Sequence, residues 1–403
     1  MVSQLSRRRV LAGCGALVGS IPISQNVIDG AIKITASHKS NDASDWPMEQ
    51  HDPGGTGYAP DARPPKDGVR VRWKHQIQRS LSFFPSPIVA NGLVYCTGRE
   101  LVCVDAASGD VVFRIDREFN SPPAITHARA YQSPTLVFST VSGAVGLHPR
   151  GGIAIGGNRI GRTRWQTRGS GDTPIFTGEN RKIPIAVDGT VFVTGGGYLR
   201  AIDGSSGRIR WQTANNSNRP VIHEGTVYVA DYQKGIIEYD TTTGEHTRSI
   251  GKAGAVSVTA TTDGLIGIWS GSLYGLNYDG TVRWAHTPEK WSITTRALAV
   301  ADGVAYICSS DGLLAINATD GTELWRSEAV QMASSRSSSL AVADGCIYVP
   351  ANRRGLAAVD ITDGHVRWRF TLESEHTTWS PVALAGKTIY VLGNGTLYAL
   401  EER

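Results

Sequence analysis

A repeated unit runs through most of this 403-residue chain and constrains its fold more than any single motif. The clearest copies are residues 298–325 (LAVADGVAYICSSDGLLAINATDGTELW), 340–368 and 185–211. Each contains an apolar run, an Asp-Gly turn and a second apolar run with Tyr or Phe. A polar turn, a third apolar run and a closing strand that ends in Trp follow. That is four short strands in about 40 residues, joined by hairpins in which Gly supplies positive φ. Repetition on this scale predicts a radial all-β architecture.

The turn before the closing strand is the sharpest signature: Asp or Asn, three residues, Gly, three residues, then Trp or a substitute. It recurs at Asp105/Gly109/Phe113, Asp203/Gly207/Trp211, Asp240/Gly244/Arg248, Asn317/Gly321/Trp325 and Asp360/Gly364/Trp368. Asn277/Gly280/Trp284 is one residue shorter, and Gly161 to Trp165 keeps only the second half. The Asx side chain bonds turn amides, Gly takes the left-handed conformation, and the Trp is set on the core face of the outer strand. With Trp73 added, the closing positions number eight. The last copy, 380–403, holds three strands, whereas 69–77 (VRVRWKHQI) reads as an outer strand with no blade before it. The two leftovers predict an eight-bladed β-propeller of four-stranded antiparallel blades, closed by the N-terminal strand completing the last blade. The longer, Gly-rich stretch 116–182 is the weak copy, and without a blade of its own the count falls to seven. Its glycines do not follow a phosphate-binding spacing.

The unit SPxVxxGxxYVxxxxGxLxAxDxxxGxxxW is similar to the pyrroloquinoline-quinone (PQQ)-like propeller repeat, over residues 69–403. The resemblance implies a ring whose inner strands line a central channel, with blades tied by the repeated Trp73, Trp165, Trp211, Trp284, Trp325 and Trp368, and Phe113 at one position. It also implies two kinds of member. Quinoprotein dehydrogenases bind PQQ and calcium at the channel mouth and oxidise alcohols or sugars. A non-enzymatic branch, such as the propeller lipoprotein of the β-barrel assembly machinery, binds no cofactor. This chain lacks the adjacent cysteine pair of the quinoprotein alcohol dehydrogenases and their long insertions. No loop cluster of Glu, Asn and Asp forms an oxygen-rich calcium shell. The expectation is a non-catalytic scaffold with no cofactor; the alternative is a PQQ- and calcium-dependent dehydrogenase.

Residues 1–36 read as an export address. Ser6-Arg7-Arg8-Arg9-Val10-Leu11 resembles a twin-arginine signal and precedes an apolar stretch too short to span a bilayer. Leu11-Ala12-Gly13-Cys14 fits a lipobox, which makes Cys14 a candidate for lipidation; a later cut near Ala36 or an uncleaved anchor are the other readings. Residues 37–68 read as a linker and an N-terminal clasp in which Trp46, Pro47 and Tyr58 stand among Gly and Pro. The expected location is periplasmic, extracellular or anchored at the cell surface. Membrane contact is expected only through the N-terminus.

Composition excludes other classes. Forty basic residues face 36 acidic ones, and three of the forty are Arg7, Arg8 and Arg9, so no nucleic-acid footprint is present. The five Cys show no metal-ligand spacing, and the ten His include no HExxH. Cys96 and Cys103 stand on two arms of one hairpin, read either as a cross-strand disulfide or as two buried thiols. Catalytic residues are not expected. A binding surface is, because the segments entering inner strands and the second hairpins crowd one rim of a propeller channel. There the sequence offers Phe83, Phe84, Arg219, Trp291, Arg296, Arg336, Arg353, Arg354, His376 and Trp379. Aromatics and Arg are the types enriched at interface hot spots, so a protein, peptide or glycan partner of a monomeric ring is expected.

Overall fold

The computed structural model describes residues 45–403 apart from 78–84, 118, 120, 128, 141–142, 156–157, 168–182, 216–218, 289–296, 310, 332–338, 352–354 and 373–378. The described residues form eight four-stranded antiparallel sheets, the blades of an eight-bladed propeller, with no α-helix among them. Blade 1 is Ile88–Ala90, Leu93–Cys96, Leu101–Asp105 and Val111–Ile115. The innermost strands of blades 2 to 8 are Ala124–Thr126, Ile185–Val187, Val221–His223, Ala255–Thr261, Leu298–Ala301, Ala341–Ala343 and Ala383–Ala385.

The weak copy does form a blade. Blade 2 adds Thr135–Thr140, Gly143–Leu147 and Thr163–Gln166 to its inner strand. Between its third and fourth strands it carries an extra ribbon, Ile153–Ile155 paired with Asn158–Ile160. That insertion stretches the repeat and hides its turn signature. Blade 8 takes its outer strand from the front of the chain: Val69–Gln76 pairs antiparallel with Thr396–Glu402, from Val69↔Glu402 to Gln76↔Thr396. Blade 8 lies beside blade 1, so this pairing closes the ring and removes the unpaired edge of an incomplete sheet.

Burial grades outward along each blade. Leu101–Asp105 is buried except at its last residue, because neighbouring blades cover both faces of a middle strand. In the outer strand Ile209–Ala214 only Trp211 is buried. The Asx turns work locally as expected: Asp203 Oδ1 accepts from the amides of Ser205 and Ser206 at 3.0 Å each, and Gly207 has φ +71°.

The tryptophans do more than cover their own strand. Each indole N–H crosses to a carbonyl of the next blade: Trp73 to Ala106 (3.1 Å), Trp165 to Gly204 (2.8 Å), Trp211 to Thr241 (2.8 Å), Trp284 to Ala318 (2.9 Å) and Trp325 to Ile361 (2.8 Å). The ring lies on the glycine of that neighbour's turn. A Cβ on Gly321 would stand 2.7 Å from the Trp284 ring. The same turn therefore needs Gly twice, for its positive φ and for the indole of the preceding blade. A register shift beside the closing residue recurs between third and fourth strands, as at Ala201/Ile202 and Ala315/Ile316. Such bulges re-aim a side chain, here into the seam. Phe113 lacks a donor and packs its ring under Gly151. At the Arg248 position the seam is polar: the guanidinium donates to the buried Glu238 carboxylate and to the carbonyls of Tyr278 and Asp279 in blade 5.

Candidate functional site

The free edge of each innermost strand faces the channel, and in six blades the chain's own N-terminal segment hydrogen-bonds there. Trp46 exchanges backbone bonds with Val89 of blade 1, and the Pro47 carbonyl accepts from Ile125 of blade 2. Further along, carbonyls of Pro53, Gly54, Thr56 and Gly57 accept from Ile222, Ala260, Val300 and Val342, in blades 4, 5, 6 and 7. Arg63 then donates to Gly386 in the first turn of blade 8, and the chain continues into the closing strand. Small residues make this passage feasible. A Cβ on Gly54 would lie 2.4 Å from the Ala260 carbonyl oxygen, and one on Gly57 would lie 2.7 Å from that of Leu340. Trp46 and Met48 are buried, and Gln50 Nε2 donates to Leu298 O at 3.0 Å.

This arrangement changes the reading of two rim candidates. The Arg219 guanidinium turns onto the segment, with its terminal nitrogens donating to Gln50 Oε1 and to the carbonyls of Glu49 and Asp52. Burial pulls its pKa below the usual value, opposed by the Glu49 and Asp52 carboxylates. Arg219 is thus an internal strut instead of a partner-facing cation. Trp379 is also core: it is buried, bridges to Gly393 within blade 8, and packs edge-on against Phe370 of blade 7 at 5.9 Å. Phe83, Phe84, Trp291, Arg296, Arg336, Arg353, Arg354 and His376 lie outside the described residues, as does Cys14.

Register decides between the two cysteine readings. Cys96 stands opposite Val102 and Cys103 opposite Tyr95, so the two side chains point to opposite faces of blade 1. A cross-strand disulfide cannot form without a slip, and both residues are buried free thiols. Burial pushes both pKa values well up, which keeps them protonated and unreactive.

A cleft of about 530 Å³ opens between the N-terminal segment and blades 3 to 5, lined by Asp52, Asp188, Arg210, His223 and Glu224 among others. Its side chains serve the fold. Arg210 donates to Asp203 (2.6 Å) and Thr190 (2.8 Å), and in blade 5 the Tyr278 hydroxyl donates to the carbonyl of the lining residue Thr261. His223 lies flat on Tyr278, with ring centres 4.6 Å apart. Among the described residues no three His, Cys, Asp or Glu side chains are grouped to hold a metal ion.

Sequence reasoning marked residues 45–58 as a clasp and missed their course around the ring. The available signal was Gly54, Gly55 and Gly57, which stand outside the repeat and would be unneeded in a solvated linker.

Comparison with known proteins is consistent with this geometry. The family model described as "Outer membrane protein assembly factor BamB" matches residues 64–268 and 265–401. No curated protein sequence matches. BamB from Moraxella catarrhalis superposes with a TM-score of 0.58 at 14% identity, covering 83% of this chain and all of that one. The quinohemoprotein alcohol dehydrogenase of Comamonas testosteroni gives 0.62 at 11% identity, over 90% of this chain and 81% of that one. A computationally designed protein, Ika8, gives 0.61 at 12% identity, over 81% and 98%. At such identities these neighbours speak for the fold alone. The family match spans nearly the whole ring, and the chain belongs to the PQQ-like repeat family described as outer membrane protein assembly factor BamB.

Proposed function

We propose that this protein is an exported, non-catalytic scaffold that binds a protein, peptide or glycan partner at the cell envelope or surface. The observation that carries this reading is the N-terminal segment on the inner-strand edges, the place where a ligand in the channel would lie. A ring whose lumen is engaged by its own chain presents its exterior and its loops. Family membership agrees, since the name of that family describes an assembly factor. Arg336, Arg353 and Arg354 are the proposed rim anchors, because Arg is frequent at interface hot spots.

The test is thermal unfolding of the purified protein with PQQ, with and without calcium. No shift is expected. A ligand at 100 times its Kd would add about 2.7 kcal/mol of stability, so a calcium-dependent rise of that order would favour the quinoprotein dehydrogenase reading. Cross-linked partner capture from envelope extract is expected to weaken in an Arg353→Ala/Arg354→Ala variant. Capture unchanged by those substitutions would remove the rim from the proposal.

A further inference from the structure

We propose that the ribbon carried by blade 2 docks this protein on an anionic lipid surface. In the ribbon, Ile153 pairs with Ile160, Ala154 with Arg159 and Ile155 with Asn158. Side chains alternate across a strand, so Ile153, Ile155 and Ile160 share one face. They are also among the most exposed large apolar residues described, at 58, 56 and 54%. The opposite face is anchored. Arg159 donates to the Val112 carbonyl of blade 1 at 2.9 Å and to the Arg150 carbonyl at 2.6 Å. At the base, the Tyr95 hydroxyl donates to Pro149 O at 3.0 Å, and Gly151 sits on the Phe113 ring. An apolar face is therefore held out on a fixed mount.

Charge identifies the occupant. Residues 119–171 contain six Arg and no Asp or Glu, in a chain with 36 acidic residues. Arg150 and Arg162 are exposed at the foot of the ribbon. His148 beside them is held below its usual pKa, first by burial and then by Arg164, Arg150 and Arg159, which reports a positive local field. In the adjoining turn of blade 1, Asp105 has its carboxylate engaged by the amides of Ala107 and Ser108. Three isoleucines on a two-stranded ribbon are too few for the area that a stable protein interface buries, about 1,200 Å² or more. They suit insertion at a headgroup boundary, with Arg beside phosphates. The chain enters the ring at the same end: the Asp45 carboxylate accepts from Asn91 in the first turn of blade 1. Membrane contact would then extend beyond the N-terminus, and this proposal stands independently of the rim partner.

The experiment uses the full chain, so that any contribution of the N-terminus is common to every sample. Binding is measured on phosphatidylcholine vesicles with and without phosphatidylglycerol, together with hydrogen exchange of peptides covering 147–163. The expected result is slowed exchange in the ribbon on the anionic vesicles only, relieved by high salt. An Ile153→Ser/Ile155→Ser/Ile160→Ser variant should lose the ribbon protection and bind at least about tenfold more weakly, while melting as the parent does. Val282→Ser and Leu324→Ser, equally exposed elsewhere on the ring, should change nothing. Ribbon exchange unaffected by anionic vesicles, or binding unchanged in the triple variant, would overturn the proposal. So would ribbon protection that arises with envelope proteins and not with lipid.

Discussion

The indole N–H of Trp368 donates to the carbonyl of Pro65 across 3.3 Å and 303 positions of sequence. The buried Tyr348 hydroxyl donates to the same oxygen at 2.9 Å. In the other tryptophan seams the acceptor lies in the next blade's own last turn, but blade 8 has none, because its outer strand comes from the front of the chain. Pro65, four residues ahead of that strand, stands in. Ring closure thus restores both things an incomplete blade lacks, a fourth strand and a docking point for the preceding Trp.

The seams predict a graded mutational response. Trp284→Phe removes one buried N–H donor, leaves Ala318 O without its partner, and should cost about 1 kcal/mol. Gly321→Ala should cost more, about 2 kcal/mol, because it meets the Trp284 ring and a φ of +77° together. Urea melts of the two variants against the parent check the order.

The polar seam should behave differently. Arg248→Ala strands the buried Glu238 carboxylate, and a loss of about 2 kcal/mol is expected, discounted because the arginine is 37% exposed. Arg248→Met with Glu238→Gln should recover part of that loss. A double-mutant cycle with no coupling between these positions would refute the account.

Acid should weaken the turn of blade 7. Burial raises the Asp360 pKa, but the Thr362 hydroxyl and amide and the Arg367 guanidinium outweigh it and hold the group at about 2. A carboxyl depressed in the fold stabilises above its unfolded pKa, and that stability is lost as pH falls from about 4 through 2. Asp360→Asn should therefore cost on the order of 1 kcal/mol at pH 7, and its deficit against the parent should shrink steadily as pH falls from about 4 toward 2.

The four described thiols should be silent in the native state. Cys96, Cys103, Cys308 and Cys346 are buried with pKa values raised by burial, so alkylation should proceed only on unfolding. Peptide mapping under non-reducing conditions should find no Cys96–Cys103 link.

The N-terminal segment should matter for stability out of proportion to its length. Gly54→Ala drives a Cβ against the Ala260 carbonyl and should lower stability by about 1–3 kcal/mol. Gly92→Ala meets no atom within 4 Å and loses only the positive-φ preference of glycine. Comparison of the two melting temperatures separates lumen packing from backbone strain.

What the sequence determined by itself was periodic and local. Asp203, Gly207 and Trp211 announce a turn because an Asx–amide bond, a left-handed glycine and a following aromatic are short-range requirements met within nine residues. Counted along the chain, the closing positions of such turns and Trp73 on the orphan strand at Val69–Gln76 number eight, one per blade, and that strand supplies the closure. The tertiary structure decided everything that depends on which surfaces meet. Register put Cys96 and Cys103 on opposite faces, a one-residue matter that composition cannot fix. Arg219 and Trp379 read as rim residues from their place in the repeat, yet both are engaged internally, because the N-terminal segment and the blade 7–8 seam reach them from distant sequence. The course of residues 46–57 was invisible for the same reason: a segment that bonds six different blades has no period of its own, and its partners exist only once the ring has formed.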